Sequence, residues 1–217
     1  TWNDAFKLAN KPFRYNLSVG LADNTSKITK FDNPSKILSD YYVGQKLGDI
    51  WGYVVDGLFR TDEEAANYNV DQTAVNFVIN TAQVNPGLHA GDMKFVDLDG
   101  DHTISSGSNT ADDPGDRKII GNSLPRYTYS IQGGFDWYGF DFSIYLQGVG
   151  HQDWYPGTNS VFFWGPYARP YSSFIPRDFL SQVWSPENPD AYFPRPIGYL
   201  ALGNNRSLGV VLSLIHI

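Results

Sequence analysis

The 217-residue sequence contains no cysteine. That excludes disulfide frameworks, thiolate metal sites and cysteine nucleophiles. Positive charge is also scarce. Sixteen Lys and Arg face 23 Asp and Glu, for a formal net charge of −7. Such a chain lacks the basic footprint that nucleic-acid binding requires, so nucleic acid is not expected as a partner. No apolar run approaches the roughly 18 residues of a membrane-spanning helix. There is no P-loop, no Gly-x-Gly-x-x-Gly, no Gly-x-Ser-x-Gly and no His-Glu-x-x-His. The four histidines, His89, His102, His151 and His216, are scattered. The sequence therefore predicts no enzyme.

What is present is aromatic and alternating. The chain holds 14 Tyr, 14 Phe and 6 Trp. Tyr127, Tyr129, Ile131, Phe135 and Trp137 share one parity, while Thr128, Ser130, Gln132 and Asp136 share the other. Phe140, Phe142, Ile144 and Leu146 alternate with Asp141, Ser143, Tyr145 and Gln147. Phe13, Tyr15, Leu17, Val19 and Leu21 alternate with Arg14, Asn16, Ser18, Gly20 and Ala22. Strand side chains point alternately to opposite faces, so each run has one apolar and one polar face. Each run nears the roughly 9–11 residues that a tilted strand needs to cross a bilayer. Residues 137–139 predict a tight hairpin. Aromatics cluster at the run ends, where barrels carry their girdles. A soluble sandwich would produce the same alternation. The long connections at 23–126 and beyond 150 favour a barrel with short turns on one side and long loops on the other.

Within the long connection, residues 42–43, 50–55 and 58–59 predict short strands. Thr61 and Glu64 have capping-box spacing, which predicts a helix start. A second helix is expected over 72–81, and a third over 176–184, ended by Ser185 to Pro189. The stretch Asp97-Leu98-Asp99-Gly100-Asp101-His102-Thr103-Ile104 sets acids at positions 1, 3 and 5 and an apolar anchor at 8. That is the front half of a calcium loop, with Asp97, Asp99, Asp101 and Thr103 as candidate ligands. Position 6 is His102 rather than Gly, and position 12 is Ser108 rather than Glu. Asp112, Asp113 or Asp116 could supply the missing carboxylate. The competing reading is a solvated loop of Asx turns. From 151 to 174 the chain is aromatic without strand or helix period. Trp154, Tyr155, Phe162, Phe163, Trp164, Tyr167 and Tyr171 are candidates to contact a substrate or a partner.

Several ordered motifs resemble one family. Gly91-Asp92-Met93-Lys94-Phe95-Val96-Asp97-Leu98-Asp99-Gly100-Asp101 is similar to a hallmark near the C-terminal end of SusC/RagA-type TonB-dependent outer-membrane transporters of Bacteroidota. Asp116-Arg117-Lys118-Ile119-Ile120-Gly121-Asn122-Ser123-Leu124-Pro125 and the strand through Gly139 to Gly148 follow in that family's order. Val43-Gly44-Gln45, Gly52 to Phe59, Trp184 to Pro189 and Phe193 to Pro196 match as well. The resemblance runs from about residue 10 to about 206. It implies an all-β fold, with residues 1–209 forming part of a large antiparallel transmembrane barrel whose long extracellular loops carry short helices. It implies an outer-membrane location and TonB-driven uptake of oligosaccharides or peptides. The implied partners are a SusD-like surface lipoprotein, the TonB complex through a plug outside this chain, a glycan or peptide substrate, and outer-membrane lipid. The final eight residues, 210–217, resemble translated sequencing adapter.

Two other readings compete. One is a secreted carbohydrate-binding or glycoside-hydrolase-associated β-sandwich with a structural calcium loop. The other is a surface adhesin. What the apolar faces meet separates the first from the barrel. A sandwich covers them with a second sheet, whereas a barrel leaves them bare.

Overall fold

The computed structural model describes residues 1–75, 88–155 and 176–195, and the backbone of 215 and 216. Its largest element is a four-stranded antiparallel sheet of order β1-β2-β7-β8. The strands are β1 (Trp2–Leu8), β2 (Lys11–Ala22), β7 (Arg126–Trp137) and β8 (Phe140–His151). The three alternating runs thus form three strands of 12 residues each. Strand β1 was not expected. Its Trp2, Phe6 and Leu8 do share a parity, but Asp4 interrupts them.

Two-residue turns join β1 to β2 and β7 to β8, at Ala9-Asn10 and Tyr138-Gly139. All four turn residues have positive φ, between 49° and 86°. Turns of that hand match the right-handed twist of the flanking strands. Both turns lie at one end of the sheet, where the Trp137 indole N–H donates to the Leu8 carbonyl at 3.3 Å. The long connection from 23 to 125 leaves from the opposite end.

Register stacks the apolar parity into one band. Phe13 faces Trp137, Tyr15 faces Phe135, Val19 faces Ile131 and Leu21 faces Tyr129. Across the next pair, Phe135 faces Phe142 and Ile131 faces Leu146. Near the turns, Phe6, Phe13, Phe135 and Phe142 form a row of rings with centroids 5.0 to 5.4 Å apart. Leu17, Val19, Ile131, Ile144 and Leu146 fill the middle, and Tyr127 and Tyr129 close the far end. Twelve residues at about 3.3 Å rise reach about 40 Å. At a tilt of about 45° that is about 28 Å of height, close to a hydrocarbon core of about 30 Å.

Between β2 and β7, with residues 176–195 added after β8, the chain builds a second, smaller body. Strand β3 (Asp49–Tyr53) pairs with β6 (Arg117–Asn122), and β4 (Val55–Leu58) pairs with β5 (Met93–Phe95). Val75, Met93, Phe95, Ile104, Phe179 and Val183 make its core, and Tyr53, Val55, Leu58 and Phe193 pack against them. Helix α1 (Asp62–Ala66) begins as expected, with the Thr61 side chain accepting from the Glu64 N–H at 3.1 Å. The Glu64 carboxylate reaches back to the Arg60 N–H at 2.8 Å, one residue before the cap. Thr61→Ala should cost about 1 kcal/mol, read as a shift in the denaturation midpoint.

Three local expectations change. Tyr42-Val43 is a turn, not a strand: the Gln45 amide oxygen takes the Tyr42 N–H at 3.3 Å, and Gly44 adopts a φ of 95°. Gln72 to Val75 is a turn rather than the start of a helix. The buried Gln72 amide brackets β5, donating to the Met93 carbonyl at 2.8 Å and accepting from the Phe95 N–H at 3.3 Å. The remainder of the expected 72–81 helix lies outside the described residues. The third helix is short, α2 (Phe179–Gln182). It stops because Val183 turns extended and bridges Phe193. Strand β9 (Asp153–Trp154) pairs through its backbone with β10 (Ile215–His216), and the rest of 210–217 lies outside the described residues.

Candidate functional site

The sheet presents two unlike surfaces. Its apolar face is open, with Leu21 74 %, Val19 62 %, Leu146 52 % and Ile144 44 % exposed. Among the described residues no second sheet packs on it. Its polar face carries Asn3, Arg14, Asn16, Gln132, Asp136, Asp141 and Ser143 along an open groove. Arg14 lies 3.9 Å from Asp136, which pairs in register with Asp141. Single apolar residues on a surface are ordinary, but a contiguous band across four strands marks a contact with lipid or protein. Among the described residues no helix is long and apolar enough to cross a membrane, so a crossing would fall to strands.

At the loop end, Asp23 and Arg126 form a two-pronged ion pair, with one bond at 2.7 Å. The Arg126 side chain holds the Asp23 carboxyl below its ordinary range. This pair ties the end of β2 to the start of β7.

The carboxylate loop closes around a different set than the spacing implied. Asp97, Asp99 and Asp116 bring ligand atoms within 4.8 Å of one another. Asp101 is not part of that carboxylate cluster. Asp101 instead accepts the Thr103 N–H at 2.7 Å. Asp112 pairs with Lys36 at 2.8 Å, and Asp113 accepts the Ser108 N–H at 2.9 Å. Asp116 is fully buried and accepts from Leu98 and Ser105, each at 2.7 Å. Asp97 accepts from Gly100 at 2.6 Å and from His102 at 2.9 Å. His102 takes the sharp turn itself, with φ at 63°, where glycine was expected. Ile104 is fully buried, as the anchor position predicts.

The charges in this loop settle unevenly. Lost hydration pushes the Asp97 pKa up, but the N–H groups of His102 and Gly100 and the His102 side chain outweigh it, and the pKa is lowered. The Asp101 N–H pulls Asp99 down. Desolvation and the charges of Asp116, Asp101 and Asp97 win, and the Asp99 pKa is raised. Three crowded carboxylate oxygens have the hard-ligand chemistry of a Ca2+ site.

Of the aromatic candidates, Trp154 is exposed on β9, and desolvation raises the pKa of the half-buried Tyr155. Phe162, Phe163, Trp164, Tyr167 and Tyr171 lie outside the described residues.

No protein-family model matches the chain. Two curated proteins do, both from Formosa agariphila. TonB-dependent receptor P39 is 27 % identical over 160 residues, covering 63 % of this chain and 15 % of that receptor. TonB-dependent receptor P3 is 22 % identical over 153 residues, covering 64 % of this chain and 13 % of the receptor. The similarity is to TonB-dependent receptors. Both receptors are several times longer than the stretch they share with this chain. An all-β, antiparallel sheet with an uncovered apolar band is what a length of receptor barrel wall requires.

Proposed function

We propose that residues 1–209 are a length of barrel wall from a TonB-dependent outer-membrane transporter of the SusC/RagA type. The observation that carries this is the bare apolar band, aromatic at both ends and spanning four registered strands. In this reading the band meets outer-membrane lipid. The polar face, with Arg14, Asn16, Asp136, Asp141 and Gln147, lines the lumen. The chain catalyses no reaction. It contributes to TonB-driven uptake of oligosaccharides or peptides, and its loop body lies outside the cell beside a SusD-like lipoprotein. Trp154, Tyr155 and the aromatics that follow are the substrate- or partner-contacting surface.

Cysteines placed singly at Phe142 and Ser143 of the full-length protein test this. In bilayers, a probe at 142 should be quenched from lipid, and one at 143 should be labelled by a water-soluble thiol reagent. If neither position senses lipid, the sandwich reading replaces the barrel.

We also propose that Asp97, Asp99 and Asp116 hold Ca2+. Without a cation, Asp99→Asn should raise the melting temperature. The repulsion it removes operates above the folded pKa of Asp99 and fades as pH falls through it. Millimolar Ca2+ should stabilise the native protein and not the variant, reversing their order. Scanning calorimetry in EDTA and in Ca2+ reads both signs. An unchanged order leaves the loop as Asx turns alone.

A further inference from the structure

The sequence has two Asp-Gly steps, Asp56-Gly57 and Asp99-Gly100. In such a step the glycine nitrogen can attack the aspartate side chain, because no Cβ hinders the close approach. The structure sets the two steps in unlike surroundings. Asp56 and Gly57 sit in a bulge of β4. Pairing passes from Val55 opposite Phe95 to Leu58 opposite Met93, so two residues of β4 stand against Lys94 alone. A bulge leaves its extra residue outside the ladder. Both residues are exposed. Gly57 has a φ of 113°, and nothing lies within 4 Å of the place a Cβ would take. The Asp56 carboxylate is 67 % exposed and lies 3.8 Å from the Lys94 ammonium. That pair is loose, since Lys94 stands closer to Glu64, at 3.3 Å.

Asp99-Gly100 is held at the reacting atoms. The Gly100 N–H donates to the Asp97 carboxylate at 2.6 Å, and the Asp99 carboxylate accepts the Asp101 N–H at 3.1 Å. Before the Gly100 nitrogen can turn on Asp99, a charge-assisted bond must break. Acidity works the other way. The raised pKa of Asp99 brings it nearer the neutral acid, the form that loses its OH as water more readily. An excess of reaction at Asp56 would therefore come from the setting of the Gly57 nitrogen.

We propose that Asp56-Gly57 is a modification site, where isoaspartate forms spontaneously with water as the sole reactant. The Gly57 nitrogen bonds to Asp56 Cγ, and the carboxyl OH leaves with the amide hydrogen as water. The product is a cyclic imide. Water then adds to one of its carbonyls. Opening at Cγ restores aspartate. Opening at the main-chain carbonyl leaves isoaspartate, which puts one extra methylene into the backbone of β4. Phe59 follows closely and is fully buried. Its N–H donates to the Asp92 carbonyl at 3.0 Å, and its carbonyl accepts from Gly91 at 2.7 Å. A lengthened main chain disturbs that junction. The inference goes beyond the transport reading and depends neither on barrel closure nor on a bound cation.

The test ages the full-length native protein in neutral buffer with EDTA, so that no cation holds the loop at Asp97. Electron-transfer fragmentation of its peptides distinguishes isoaspartate from aspartate at each step. Isoaspartate should accumulate at Asp56 and form at Asp99 about tenfold or more slowly, the rate equivalent of one charge-assisted bond. In denaturant the two rates should converge. Asp56→Glu keeps the charge but disfavours the larger ring, and should give no isomer at that position. Native protein that forms no isoaspartate at Asp56, or forms it equally fast at both steps, overturns the proposal. A difference that survives denaturation belongs to the local sequence and overturns the role given to the bulge.

Discussion

Arginine in place of Ile144 should destabilise the protein in a bilayer by about 2–4 kcal/mol, the cost of a cation on the lipid face at mid-depth. Ile144 sits near the centre of β8, opposite Gly133, on the open apolar face. The neighbouring change Ser143→Arg should cost close to nothing, because Ser143 points to the polar groove. A third variant makes the test specific. Phe140→Arg lies at the turn end of the same face and should cost only about 0–1 kcal/mol, since charge near an interface finds water. Reversible unfolding of the full-length protein from vesicles measures all three. A buried sandwich face would not grade the penalty by distance from the hairpin. Equal penalties at 140 and 144 would therefore count against the barrel.

The second large effect is expected at Asp116. Its side chain is fully buried, and its two oxygens accept the Leu98 and Ser105 N–H groups. Asp116→Ala removes two charge-assisted bonds made by a buried carboxylate, for a loss of about 3–5 kcal/mol. Asp116→Asn should not rescue it, because one oxygen becomes an NH2 group facing an N–H donor. Chemical denaturation gives the size, and hydrogen exchange at the Leu98 and Ser105 amides gives the place. A loss below about 1 kcal/mol would mean that water reaches those amides.

Asp116 also shows where sequence reading stops. Asp97 and Asp99 announce themselves by spacing. Their third partner arrives from 17 residues beyond Asp99, by way of a loop whose path no local pattern encodes. The notion of a distant carboxylate was legible, but which of three acids it was depended on Lys36 capturing Asp112 and Ser108 capturing Asp113. The wall strands were easier. A period of two over a dozen residues, with a two-residue turn between runs, leaves little room for another structure. Strand β1 escaped because Asp4 breaks its apolar parity and its pairing with β2 is visible only in space. Tyr42-Val43 and Gln72 were both misjudged where a glutamine side chain bonds to backbone. At Tyr42 the Gln45 amide takes a backbone N–H that a strand partner would have taken, and at Gln72 the side chain is committed to the backbone of β5.

The two tight turns share one end of the sheet, and every long connection leaves from the other. That asymmetry divides the chain into a part that cannot change length and a part that can. One residue added between Trp137 and Phe140 would move Phe140, Phe142, Ile144 and Leu146 to the groove side and bring Asp141 and Ser143 to the apolar side. Additions in the loops between Ala22 and Arg126, outside the paired strands β3 to β6, meet no such rule. Closing a longer loop costs only about 0.6 kcal/mol for each doubling of its length. Variety in what the protein meets can therefore accumulate at one end while the other end keeps the register of the wall.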